Sequence, residues 1–341
     1  MKQAAVVILN YNGKHYLEKF LLGVLEHSGS HRVIVADSCS TDDSVTFLKV
    51  KFPQVELIEL PENKGYSYGY NQALSQIKDV DFYILLNSDV EVTPSWIDPV
   101  IDLMSKDAAI AAAQPKILDY KKKSHFEYAG AAGGFLDTLG YPFCRGRLFL
   151  HLEEDRGQYD DVRQVFWATG ACLFIRADIY HELNGLDEDF FAHMEEIDLC
   201  WRINQAGYKV MYVGQSKVYH VGGGTLDKSH PRKTYLNFRN GLSILYKNYN
   251  DRELYLKLPI RIFLDVVAAI KFMLFDSFQH GWAVCKAHVD FLKEFRKNYI
   301  KRQVTKKIKQ RKKLSTIYSG SIVFEYFIKG KRRFDQLRKK P

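Results

Sequence analysis

Over its first hundred residues the chain alternates short apolar runs with stretches of helical spacing. Residues 4–9, 33–37, 55–60 and 82–86 are rich in Val, Ile and Leu without strict alternation, as expected of strands covered on both faces of a sheet. Between them, 14–26, 42–51 and 68–77 carry helical patterns. The second has Ser40 or Thr41 as its expected N-cap and acids in its first turn, which complement the helix dipole. A further helix is expected to start at Thr93-Pro94, a cap followed by a first-turn proline. This order predicts an α/β fold with a mostly parallel, doubly wound sheet flanked by helices, and a ligand crevice at the carboxyl ends of the strands.

The loops that would line that crevice are polar. They read Asn10-Tyr11-Asn12-Gly13, Asp37-Ser38-Cys39-Ser40-Thr41-Asp42-Asp43, Asn63-Lys64-Gly65 and Asn87-Ser88-Asp89-Val90-Glu91. One such loop is an ordinary turn, but four on one sheet edge look like a site. No G-x-G-x-x-G follows the first strand and no G-x-x-x-x-G-K-[ST] occurs, which disfavours a dinucleotide fold and a P-loop. Asp37 ends its strand where an acid reading a ribose or base would stand, although strand-end Asp residues also serve as simple caps. Asp89 and Glu91 offer oxygen ligands to a hard divalent cation bridging phosphates. For Glu91 the ordinary alternative is to solvate the start of the next helix; Asp89, directly after an apolar strand, is the better candidate.

Residues 190–202 read FFAHMEEIDLCWR. A helix from about Met194 would gather Ile197, Leu199, Cys200, Trp201 and Ile203 into one apolar arc, with Glu196 inside it. Glu195, Asp198 and Arg202 would fall on the other side, where Asp198 and Arg202 can pair across one turn. A carboxylate on a core-facing side loses water, and its pKa rises toward the range of a general base. The bland alternative is an acid at the margin of the arc that reaches out to solvent. Two adjacent acids beside a double Phe, followed by His220 and a Gly-rich segment, turn the balance toward chemistry.

Charge is unevenly placed. From Lys286 onward there are nineteen Lys or Arg against four Asp or Glu, a balance of +15, so a chain of net charge +9 leaves −6 for its first 285 residues. Residues 296–313 alone hold ten basic residues and no acid. Such a tail suits anionic lipid headgroups at about 1 kcal/mol per basic residue near the surface. No nucleic-acid module accompanies it, so nucleic acid is not the expected partner. Residues 258–279 are strongly apolar and of membrane-span length, but Arg261, Asp265, Lys271 and Asp276 interrupt them. They predict a helix lying in the membrane interface or against the domain rather than a span. Five cysteines without C-x-x-C spacing fit a reduced, cytoplasmic setting. The expected division is a domain over 1–250 and a basic helical extension over 251–341.

The ordered set ILNYNG, VADSCSTDDS, ENKGYSYGYNQAL, LLNSDVEV, WATGACLFIR, FFAHMEEIDLCWR and VYHVGGGT resembles the family 2 glycosyltransferases, in particular their bacterial rhamnosyltransferase-like branch, over about residues 2–249. The resemblance implies a GT-A fold and inverting transfer from a nucleotide-diphosphate sugar, with dTDP-rhamnose as the donor it suggests, and with Mg²⁺ or Mn²⁺. It implies a glycan or lipid-linked acceptor in cell-surface polysaccharide synthesis, and a peripheral place on the inner face of the plasma membrane. Its expected donor-binding set is Asn10, Asn12, Asp37, Gly65, Asn87, Asp89, Thr169 and Gly170. The metal would be held by Asp89 and His220, with Glu91 as a further candidate. The catalytic base is Glu196, with Glu195 as its rival, because the family's Glu-Asp pair is here Glu-Glu. The metal motif also departs from the family, with one acid in Asn87-Ser88-Asp89.

The segment 126–147, rich in Gly and aromatic residues, is expected to form an acceptor lid, a β-hairpin, or both. Trp167 to Gly170 should open a strand running to Ile175. Gly222 to Thr225 could cradle phosphate, and Lys233, Arg239 or Asn240 could meet a diphosphate. A sugar-nucleotide pyrophosphorylase and a catalytically inactive, membrane-bound scaffold are the competing functions.

Overall fold

A computed structural model describes residues 2–222, 230–308, 314 and 316–337. The N-terminal half runs β1 (Ala4–Asn10), α1 (Lys14–His27), β2 (Arg32–Asp37), α2 (Ser44–Lys51), β3 (Glu56–Glu59), α3 (Tyr66–Gln76), β4 (Phe82–Asn87), β5 (Val90–Val92), α4 (Asp98–Lys106) and β6 (Ile110–Asp119). Then follow β7 (Gly134–Asp137), β8 (Pro142–Cys144), β9 (Arg147–Leu148), β10 (His151–Leu152), β11 (Val162–Val165), β12 (Cys172–Arg176), α5 (Ala177–Glu182), α6 (Glu195–Ala206) and β13 (Lys209–His220). The remainder is α7 (Pro231–Asn248), α8 (Asp251–Phe275), α9 (Phe278–Lys293), α10 (Phe295–Thr305) and β14 (Ile317–Tyr318).

The main sheet has the order β11-β13-β6-β12-β4-β1-β2-β3, with β5 against β13. Strands β3, β2, β1 and β4 pair in parallel, and β12 enters antiparallel between β4 and β6. Successive residues of β1 sort to opposite faces: Ala4, Val6 and Ile8 meet Leu17, Leu21 and Val24 of α1, while Ala5 and Val7 lie in the cluster with Tyr70 and Leu74 of α3 and Leu199 of α6. Both faces are covered by helices, and for that reason the strands lack an alternating pattern.

Two helix starts differ from expectation. Helix α2 begins at Ser44 because Ser40 and Thr41 hydrogen-bond across the strand-end loops instead of capping it. Helix α4 begins at Asp98, since Thr93 Oγ1 donates to the Lys217 carbonyl at 2.8 Å and Ser95 takes a left-handed φ of 55°. The predicted strand opening at Trp167 starts at Cys172, leaving Thr169 and Gly170 in a loop. Residues 134–148 form the antiparallel strands β7, β8 and β9, and β14 joins their sheet beside β7.

The C-terminal helices contain an inversion. Asp265 and Arg261 of α8, two of the charges that interrupt its apolar run, are 0% and 3% exposed and bonded at 2.8 Å. Tyr141 donates to Asp265 at 3.0 Å, which anchors the pair to the β7–β8 turn. A buried ion pair is tolerated only where such partners complete it, so the charged side of α8 turns inward. Its apolar side faces out, with Phe263, Leu274 and Phe275 exposed by 65%, 69% and 77%. Helix α10 likewise spends part of its charge inward: Arg302 is buried against the Tyr246 carbonyl and Asp251, and Lys297 and Lys301 pair with Asp187 and Asp189. Residues 309–313 of the basic run lie outside the described residues. Among the described residues no helix is long and apolar enough to cross a membrane.

Candidate active site

The carboxyl ends of β1 and β2 are laced together. Asn10 Nδ2, Ser40 N and Ser40 Oγ donate to the buried Asp37 carboxylate at 2.8, 2.8 and 2.7 Å. Asn12, in a left-handed conformation at φ 49°, accepts from Thr41 N at 2.7 Å and Asp42 N at 3.2 Å. Asp37 and Asn12 therefore brace the two loops against each other. Asn10 Oδ1 is buried without a hydrogen-bond partner, and a Cβ on Gly13 would stand 2.5 Å from it.

A second cluster forms where β4 meets the end of β13. His220 Nε2 lies 3.2 Å from Asp89 Oδ1 and 3.5 Å from Asn87 Nδ2. On its other side Nδ1 lies 3.3 Å from Glu127 Oε2, a carboxylate only 1% exposed. Burial alone would lower the imidazole's pKa, yet Asp89 and Glu127 push it up to about 10. Burial alone would raise the Asp89 carboxyl; the His220 contact instead holds it below its ordinary value. Glu91 forms an ion pair with Lys123 and is not brought into this cluster. Glu127 was not picked out from sequence, because within FEYAGAAGG it reads as one more loop residue.

The third cluster is built around the start of α6. Phe191, His193 and Met194 all hold positive φ, at 62°, 68° and 77°, just before Glu195 and Glu196. Three left-handed non-Gly residues in four positions are costly and persist only where the surroundings over-determine them. Helix α7 supplies that constraint. Asn240 Nδ2 donates to the carbonyls of Phe190, Ala192 and His193 at 3.1, 3.0 and 2.7 Å, and Arg239 Nη2 to that of Asp189 at 2.7 Å. Arg239 and Asn240 are thus spent on the loop backbone rather than open to a diphosphate. On the opposite side Tyr66 N donates to the Phe191 carbonyl at 2.7 Å. Gly65, at φ 96°, permits this approach, since a Cβ there would lie 2.5 Å from the same carbonyl oxygen.

The expected two-sided character of α6 is overturned. Asp198 and Arg202, placed opposite the apolar arc, are as buried as the arc itself. They are paired at 3.0 Å, and α7 covers them with Lys247, 3.0 Å from Asp198, and Asn248. Glu195 is buried too, whereas Glu196 is half-buried. Desolvation pushes the Glu196 carboxyl up to about 7, against backbone amides including that of Gly170 which pull it down. Burial, then the neighbouring Glu196, raise Glu195 well above the usual carboxylate range. Gly170 is held by Tyr66, whose hydroxyl donates to its carbonyl at 2.7 Å, and Thr169 N donates to the buried Gln114 Oε1 at 3.0 Å. Asn87 N donates to the Ala171 carbonyl at 3.0 Å, so the segment 169–171 joins the Glu196 cluster to the Asp89 cluster. Gly223 to Thr225 of the proposed phosphate cradle lie outside the described residues.

The sequence profile described as "Glycosyl transferase family 2" matches residues 5–183, more than half of the chain. The chain is 28% identical over 233 residues to the N-acetylglucosaminyl-diphospho-decaprenol L-rhamnosyltransferase of Mycobacterium tuberculosis, covering 63% of this chain and 75% of that protein. It is 22% identical over 223 residues to rhamnosyltransferase WbbL of Escherichia coli K12, covering 63% and 82%. Among solved structures, that of GalNAc-T7 with UDP, GalNAc and Mn²⁺ aligns with a TM-score of 0.58 and 16% identity over 90% of this chain, which spans 58% of that longer one. At this identity the likeness carries the fold. The profile match sets aside the pyrophosphorylase reading: the chain belongs to glycosyl transferase family 2 and is a glycosyltransferase of the GT-A fold, with rhamnosyltransferases among its relatives.

Proposed function

We propose that this enzyme transfers a sugar, with inversion, from a nucleotide-diphosphate donor to a lipid-linked glycan acceptor, and that Glu196 is its general base. The observation that carries the reading is the half-buried Glu196 carboxyl, whose pKa of about 7 matches the working pH of a base. It stands at the 169–171 segment, which also contacts the donor-side strand ends. Glu196 takes the proton of an acceptor hydroxyl as that oxygen attacks the anomeric carbon from the face opposite the diphosphate. One displacement inverts the centre. Burial and the neighbouring Glu196 raise the Glu195 carboxyl well above the usual carboxylate range, which disfavours a second charge beside the base. Asn10, Asn12, Asp37 and Gly65 shape the nucleotide end, and Thr169 and Gly170 the sugar end.

The Asp89 carboxylate fits a divalent cation, Mg²⁺ or Mn²⁺, in donor chemistry, and the His220 imidazole would join it once the cation has displaced its proton. Glu127 on the far ring nitrogen has the place of the carboxylate that orients a ligating histidine. Among the described residues no three His, Cys, Asp or Glu side chains are grouped to hold a metal on their own. The donor diphosphate and water would therefore complete the shell. When bound, the cation supplies positive charge that stabilises the departing diphosphate.

The Mycobacterium tuberculosis relative is named for a diphospho-decaprenol acceptor and for rhamnose, which supports a lipid-diphosphate acceptor and dTDP-rhamnose as the first donor to try. The outward apolar side of α8 supports a seat on an anionic membrane surface at the inner face of the plasma membrane. Flotation with anionic vesicles checks that part: Phe263→Glu should abolish it, and equal flotation of both proteins would dismiss it.

Thermal stabilisation by a panel of nucleotide sugars, with and without Mn²⁺, tests the donor reading. A donor at a hundred times its Kd should add about 2.7 kcal/mol, and Asp89→Asn should remove the Mn²⁺-dependent part. A panel in which no nucleotide sugar stabilises the protein under either condition would sink the proposal and favour an inactive scaffold.

A further inference from the structure

The N-terminal turns of α7 and α9 enclose a groove of about 600 Å³ whose walls include Pro231, Arg232, Tyr235, Phe278, Trp282 and Lys286, within the range of small-molecule sites. We propose that this groove holds the diphosphate and the first isoprene units of a polyprenyl-diphosphate-linked acceptor, with Arg232 as the phosphate contact. The proposal rests on the lipid-linked acceptor reading above and gives it a location.

Position is the first argument. The Arg232 guanidinium lies 4.7 Å from the centre of the Phe191 ring. Phe191 belongs to the left-handed loop that presents Glu196. Arg232 therefore joins the groove to the loop that carries the base, on the side of α7, where an acceptor would approach.

Charge is the second. Among the described residues no carboxylate stands within ion-pair distance of Arg232, whose guanidinium lies over the Phe191 ring and whose backbone N–H donates to His230 Nδ1. Lys286 is paired with Asp290 at 2.6 Å and lies over the Tyr235 ring at 4.5 Å. Among the described residues the cation of the groove without a carboxylate partner is accordingly Arg232, whose planar fork suits phosphate oxygens.

The third argument is the wall. Phe278 and Trp282 are 66% and 60% exposed, and across the short α8–α9 turn they continue into the outward Leu274 and Phe275. A free diphosphate has no use for this surface, and an uncharged lipid has no use for Arg232. A ligand with an anionic head and an apolar chain satisfies both, and its chain would leave along α8 toward the membrane.

Farnesyl diphosphate is the probe, added to the full chain with excess nucleoside diphosphate filling the donor site, and read by quenching of tryptophan fluorescence. Saturable quenching that disappears in Trp282→Phe places the probe in the groove. Arg232→Gln, a change at an exposed position, should weaken binding about tenfold, the scale of one hydrogen bond to a charged group. Farnesol and inorganic pyrophosphate should each bind at least about tenfold more weakly than the joined molecule. Unchanged affinity in Arg232→Gln, or quenching that survives in Trp282→Phe, overturns the assignment, and so does farnesol binding as well as the diphosphate. Donor hydrolysis to water, measured on the wild-type protein without the nucleoside diphosphate, reports on the transferase reading separately.

Discussion

Glu196→Gln is expected to lower the rate of sugar transfer by about 10²–10⁴-fold, the usual contribution of a positioned base, with donor affinity nearly unchanged. Glutamine keeps the size of the side chain and its contacts with the amides at the start of α6, and loses only the ability to accept a proton. In the wild type kcat/KM should rise with pH through about 7 and then level, because the base must be ionised and burial has lifted its pKa to that value. The Glu196→Gln profile should be flat across the same window. Stability should move the opposite way. The folded state holds the Glu196 proton up to about pH 7, whereas the unfolded chain releases it near 4.5. Wild-type stability therefore falls as pH rises between those values, and Glu196→Gln escapes that loss. Glu195→Gln should keep the acid limb, because burial holds the Glu195 carboxyl well above its ordinary value and the limb belongs to Glu196. Comparable transfer rates for wild type and Glu196→Gln would remove Glu196 from the reaction.

Asp198→Ala should be the most destabilising single change in the α6–α7 interface. Asp198 is fully buried, with Arg202 Nε and Lys247 Nζ each 3.0 Å away and Asn248 Nδ2 at 2.9 Å. Its removal leaves Arg202 with only the Leu183 and Gly185 carbonyls, and Lys247 with Asp187. Breaking one partner out of a buried charge network costs about 3–5 kcal/mol, readable as a lower denaturant midpoint at unchanged slope. Burial alone would raise the Asp198 carboxyl, but Lys247 and Arg202 keep it below its ordinary value of 3.8. Its stabilising contribution is accordingly full above that pH and fades as pH falls below it. A loss under about 1 kcal/mol would mean that the network is not what joins the two helices.

Activity should suffer in the same variant for a reason of geometry. Helix α7 reaches α6 through Lys247 and Asn248 and reaches the preceding loop through Asn240. A shift of α7 therefore disturbs the three left-handed residues that aim Glu196. Few of these partners were legible in the chain. Asn240 lies more than forty residues beyond the carbonyls it holds, and Glu127 lies over ninety residues before His220. Helical spacing reports which residues share a face, but not which remote side chains arrive to neutralise a charge on it. That is why Asp198 and Arg202, expected on the side of α6 away from its apolar arc, lie in the core, and why Arg261 and Asp265 face inward on α8.

The sequence by itself determined the layered α/β order, the polar residues at four strand ends, and the pair of adjacent acids opening α6. These follow from local periodicity and turn chemistry, which act between near neighbours along the chain. Only the tertiary structure decided that burial raises the Glu195 and Glu196 carboxyls, that Glu127 backs His220, and that the apolar side of α8 faces outward. Each of these depends on how much water is excluded and which charge stands opposite, and those quantities are set by segments far apart in sequence that meet when the chain folds.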